Sequence, residues 1–101
     1  MLYMLTEAFG KELTRFVRDG GTLVTTYYSG MADLNDCIYP GGYPGVLKEA
    51  CGIWVEETDA LTAEQHNTAV TGAELGFETF SCGYMCDIMH LEGAKCLASY
   101  G

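Results

Sequence analysis

Gly20-Gly21-Thr22-Leu23-Val24-Thr25-Thr26-Tyr27-Tyr28-Ser29-Gly30 is the stretch on which the fold class of this sequence turns. A run rich in β-branched and aromatic residues lies between a two-glycine turn and a Ser-Gly stop, which is the composition of a strand. Immediately before it, Thr6 to Asp19 reads as a helix: Thr6 is the N-cap, Glu7 sits at the positive end of the dipole, and Gly20 is the left-handed residue past the end. Phe9, Leu13, Phe16 and Val17 form one apolar stripe, and Glu7–Lys11 and Arg15–Asp19 are opposite charges four apart on the solvent side. A helix that enters a strand through two glycines is half of a β-α-β unit, which predicts an earlier parallel strand and a right-handed crossover. Met1–Leu5 is long enough only for the end of that strand. Parallel sheets carry helices on both faces and this stretch offers one good helix before the strand, so the expectation is an α/β sheet with some of its partners missing, a piece of something longer.

Downstream, Met31 to Gly45 is a loop of turn formers, with Asp33, Asn35, Asp36, Pro40, Gly41, Gly42 and Pro44. Pro44 suits the first turn of a short helix with Val46, Leu47 and Ala50 on its apolar side, and Gly52 ends it before Ile53-Trp54-Val55. Glu56, Glu57 and Asp59 make an acidic surface stretch; as neighbours on a strand, Glu56 and Glu57 are expected on opposite faces. Thr62-Ala63-Glu64-Gln65 has the capping-box pattern but no apolar periodicity behind it. From Thr68 onward the chain is β-rich, over Thr68–Thr71, Glu78–Met89 and Ala94–Tyr100, and no internal repeat is visible.

A length of 101 residues allows one domain, residues 1–101. Five Lys and Arg against 14 Asp and Glu give a net charge of −9, which repels phosphate backbones and anionic lipid, so nucleic acid and membrane surfaces are excluded as partners. No apolar run approaches the roughly 18 residues of a membrane span, and the first residues lack a basic signal-peptide region, so the chain reads as soluble and cytoplasmic. Five cysteines, an odd number without a secreted disulfide spacing, read as reduced thiols.

Candidate chemistry is sparse. A nucleophile elbow needs glycine two residues before and after the nucleophile; Cys82 has Phe80 and Tyr84 there, and Ser29 has Tyr27 and Met31. Cys82, Cys86 and His90 recur every fourth residue, with Cys96 as a fourth potential metal ligand, yet the paired two-to-four-residue spacing of structural zinc sites is missing. Gly41-Gly42-Tyr43-Pro44-Gly45 lacks both P-loop spacing and a basic residue. Catalytic residues and cofactors are therefore expected to be none. A different class of reading, a small amidotransferase-like or thiol- or metal-binding domain, would use Cys82, Cys86 and His90.

The order Gly20–Gly30, Asp33-Leu34-Asn35-Asp36, Gly41-Gly42-Tyr43-Pro44-Gly45-Val46-Leu47 and Gly52-Ile53-Trp54-Val55-Glu56-Glu57, followed by Leu91–Tyr100, resembles the middle domain of the family 42 glycoside hydrolases, the bacterial β-galactosidases. That resemblance implies a flavodoxin-like or class I glutamine amidotransferase-like three-layer sandwich, cut from a longer enzyme and incomplete at both ends, with a first strand or two before Met1 and more chain after Gly101. It further implies a non-catalytic domain that assembles trimers of enzymes hydrolysing terminal β-D-galactosides. In such a trimer it lies against the catalytic barrels of its own and neighbouring subunits and helps wall the active-site funnel; the catalytic glutamates lie on the barrel. A cyclic trimer needs a heterologous contact with an apolar centre, for which Tyr27, Tyr28, Tyr39, Tyr43 and Trp54 are the aromatic candidates.

Overall fold

Helix α1 (Glu7–Arg18) forms where its capping signals stand in the computed structural model, which describes residues 2–76 and 78–101. Thr6 Oγ1 accepts the Phe9 amide at 3.1 Å, and Gly20 leaves the helix with φ 98°. The packed side differs from the expected stripe. Gly10 is buried and Leu13 and Val17 are half-buried, whereas Phe9 and Phe16 stay 48% and 53% exposed. A Cβ on Gly10 would lie 2.5 Å from a Val46 methyl. The bare backbone at Gly10 thus lets α1 close on the Val46 turn, and that contact sets which side faces in. The charge pairs also differ: Arg15 binds Glu12, and Arg18 reaches across to Glu49.

The strand expected over Thr22–Tyr28 does not form, since residues 21–26 join no ladder with any described segment. The chain instead turns at Thr26–Ser29, where the Ser29 amide donates to Thr26 O at 3.2 Å and Tyr28 takes φ 58°. The parallel pairing across α1 is present, displaced downstream. The Gly30 amide donates to Leu2 O (2.7 Å), Met31 to Tyr3 O (2.9 Å) and Leu5 to Ala32 O (2.9 Å), and Met4 bridges Ala32 in parallel. Met1, the first residue of the expected strand end, lies outside the described residues.

A single 3-10 turn (Gly45–Leu47) leads into α2 (Lys48–Cys51), which ends at Gly52 as the sequence predicts. Five strands follow: β1 (Ile53–Ala60), β2 (Asn67–Thr71), β3 (Thr79–Cys82), β4 (Met85–Leu91) and β5 (Ala98–Tyr100), with a 3-10 turn (Ala73–Leu75) after β2. β1 and β4 form a two-stranded antiparallel sheet running from Ile53 opposite Leu91 to Ala60 opposite Met85. The ladder slips by one residue between Val55 and Glu57, so Glu56 has no partner opposite. Glu56, Glu57 and Asp59 are all exposed, the acidic surface stretch that the sequence predicts, with the bulge at Glu56. The second sheet is antiparallel in the order β3-β2-β5. The capping-box residues close a turn without a helix: Gln65 Oε1 accepts the Thr62 amide, and the Gln65 amide donates to Thr62 O, both at 3.0 Å.

Two small antiparallel sheets and two short helices overturn the expected α/β fold class, the flavodoxin-like or class I glutamine amidotransferase-like three-layer sandwich. A sandwich of that kind needs a parallel sheet covered by helices on both faces. Here parallel pairing is confined to the short stretch joining residues 2–5 to 30–32, and α1 is the sole helix of more than two turns among the described residues. The core is correspondingly small. Leu5, Ala32, Tyr43, Leu47 and Val55 are buried at the junction of α2, β1 and the 2–5/30–32 pairing, and Ala69 and Cys86 are buried between the sheets. The radius of gyration is 14.5 Å, above the roughly 13 Å of a compact 100-residue domain, and the extents are 38 × 31 × 19 Å. No helix among the described residues is long and apolar enough to cross a membrane.

Candidate assembly surface

α1 and the segment 39–49 enclose an open groove of about 700 Å³. Glu7, Lys11, Thr14, Arg15, Arg18 and Asp19 line one wall, and Tyr39, Pro40, Gly45, Val46 and Glu49 the other. Three of the five cations of the chain therefore face three carboxylates in one groove, which is near neutral in a chain of charge −9. The floor is fixed by Tyr39, whose hydroxyl donates to Leu5 O at 2.6 Å. Partial burial, then the Asp33 and Glu7 carboxylates, push the Tyr39 phenol pKa up from its ordinary value.

A second cavity, of about 520 Å³, opens between the Thr25–Ser29 turn and the two sheets. At its base Tyr43, 7% exposed, donates its hydroxyl to Asp87 Oδ1 at 2.9 Å and also meets Thr58 Oγ1, which itself donates to Asp87 Oδ1 at 2.6 Å. Burial first, and the Asp87 carboxylate second, raise the Tyr43 pKa well above 10.0. Tyr28 meets Tyr43 edge-on at 6.1 Å, and Tyr27 meets Tyr28 edge-on at 5.6 Å. Tyr100 on the far wall is pushed up to about 12, by burial first and then by the neighbouring Cys86 thiol. Trp54 stacks on the His90 ring at 4.1 Å with 8° between the planes, and His90 Nε2 lies 2.7 Å from Glu56 Oε2.

Of the aromatic candidates, Tyr27, Tyr28 and Tyr43 thus form one connected chain of rings, Tyr39 floors the groove, and Trp54 lies apart with His90. Tyr27 is exposed, Tyr28, Tyr39 and Trp54 half-buried and Tyr43 buried. The thiols are not brought together as a set. Cys82 ends β3 opposite Asn67, and the Gly83-Tyr84 turn then carries the chain to the other sheet, where Cys86 opposes Asp59. His90 engages Glu56, and Cys96 Sγ donates to Ala98 O at 3.1 Å. Among the described residues no three His, Cys, Asp or Glu side chains are placed to hold a metal ion. Ser29 is buried at 4%, and its Oγ accepts the Thr26 amide at 3.3 Å, as a turn serine does.

Sequence reasoning missed three features. Gly10 was hidden because only a tertiary contact gives it meaning. Asp87 lay inside a run read as plain strand. Tyr84, between β3 and β4, is 81% exposed and adopts φ 67°, which no local signal beyond the adjacent Gly83 announces.

The loop bordering the groove carries its own pH marker. Asp33 Oδ1 accepts the Cys37 amide at 3.0 Å and the Asn35 amide at 2.8 Å, and these bonds, that to Cys37 first, hold the carboxyl below its ordinary 3.8. A depressed carboxylate adds stability above its unfolded value and loses it as pH falls through the folded value. The Asp33 carboxyl is therefore expected to titrate below pH 3.8 when followed by its carbon-13 shift; a midpoint at or above that value would show that the turn does not hold.

Comparison with known proteins places these features in a family context. The family described as β-galactosidase trimerisation domain matches residues 1–101. β-Galactosidase Pbg of Clostridium perfringens is 48% identical over 103 aligned residues, covering 99% of this chain and 15% of that protein. β-Galactosidase BgaP of a Planococcus species is 40% identical, covering 100% and 15%. Among solved structures, the β-galactosidase from Rahnella sp. R3 superposes with a TM-score of 0.94 at 42% identity, over 100% of this chain and 15% of that one. The β-galactosidase from Bacillus circulans sp. alkalophilus gives 0.90 at 44% identity, over 99% and 15%. The chain spans about 15% of the length of the curated relatives it matches.

Proposed function

This chain belongs to the β-galactosidase trimerisation-domain family, a non-catalytic class whose membership implies self-association, and from that premise we propose that residues 1–101 act as one assembly unit of a trimeric β-galactosidase. The whole enzyme, on this reading, hydrolyses terminal β-D-galactosides in the cytoplasm. Its catalytic barrels, from the same and neighbouring subunits, pack against this domain, which helps wall the active-site funnel. The unpaired state of the five cysteines supports the cytoplasmic placement. Family membership does not favour the amidotransferase-like or thiol- and metal-binding alternative.

The observation that carries the reading, beyond membership itself, is unspent apolar surface. Phe9, Phe16, Tyr27, Ile88 and Tyr84 are all more than 40% exposed, in a molecule with few buried side chains. Surfaces of that kind mark contacts with other protein. Among the sequence candidates, Tyr27 and Tyr39 are the ones we assign to the contact, because Tyr27 is exposed and Tyr39 floors an open groove. Light scattering coupled to size exclusion, over about a tenfold range of concentration, is expected to give three times the 11.0 kDa of one chain. A single-chain mass throughout would overturn the reading that these residues contain the assembly surface.

A further inference from the structure

We draw no further inference here: the strongest candidate, the cavity between the Thr25–Ser29 turn and the two sheets with the Asp87 carboxylate at its base, carries nothing because nothing in the structure shows what covers its mouth in a chain that spans about 15% of the length of its relatives.

Discussion

Gly45→Ala is expected to destabilise the folded chain by more than about 4 kcal/mol, at the far end of the range for single substitutions. Gly45 holds φ 50°, and a Cβ built on it would lie 2.5 Å from the Gly30 carbonyl oxygen and 2.7 Å from the Tyr39 ring. The carbonyl belongs to backbone that cannot swing aside, because the Gly30 amide is itself held by Leu2 O at 2.7 Å. Two costs therefore add: roughly 1–2 kcal/mol for a left-handed side-chain-bearing residue, and a steric overlap that must part the 2–5/30–32 pairing from the turn before α2. Gly20→Ala separates the two. It too has positive φ, 98°, but no neighbour within 4 Å of the added Cβ, so it should cost only the conformational part, about 1 kcal/mol. Urea unfolding followed by the fluorescence of Trp54, the only tryptophan, reads both variants. Equal midpoints for the two would mean that the close approach of Gly45 to Gly30 contributes nothing.

Tyr43→Ala is the second large effect, about 3–5 kcal/mol, since it removes a buried ring and takes one of two donors from the Asp87 carboxylate. Tyr43→Phe keeps the ring and should cost about 1–3 kcal/mol for the donor alone. A pH signature distinguishes the hydroxyl from general packing. The folded phenol is held neutral above its ordinary 10.0, so the unfolded chain ionises first as pH rises. The stability that this tyrosine contributes is full below about pH 10 and declines as pH climbs from there toward the raised folded value. Tyr100, shifted in the same direction, adds to that alkaline limb. In Tyr43→Phe the fall in urea midpoint above pH 10 is expected to be shallower than in the wild type. An identical alkaline slope would mean that the Tyr43 hydroxyl is not buried against Asp87 in solution.

These effects show where the reading of the sequence reached and where it stopped. Local signals worked wherever a few neighbouring residues decide the outcome. Thr6 caps α1 and Gly20 releases it, Gly52 ends α2, and most of the strands beyond Thr68 stand close to where β-branched and turn residues put them. The single expected strand over Glu78–Met89 is two strands, because Tyr84 takes a left-handed turn and sends the second half to a different sheet. The order of glycine-rich motifs was also enough to identify the family, since that pattern is written in the chain itself.

What the chain pairs with is another kind of information. Thr22–Tyr28 has strand composition, but a strand exists only through hydrogen bonds to a neighbour, and no described segment offers them, so the α/β sandwich read from it gives way to antiparallel sheets. The same limit hid the groove beside α1 and the burial of Tyr43. Composition placed tyrosines and charges in the sequence, whereas Gly10 against Val46 and Tyr43 on Asp87 depend on contacts between residues dozens of positions apart. The sequence by itself determined the ends of α1, the stop of α2 at Gly52, net charge and family, all set by local chemistry or by order along the chain. Strand partners, the buried face of α1 and the groove beside it were decided only by tertiary structure, because long-range packing free energy overrides local preference wherever the two compete.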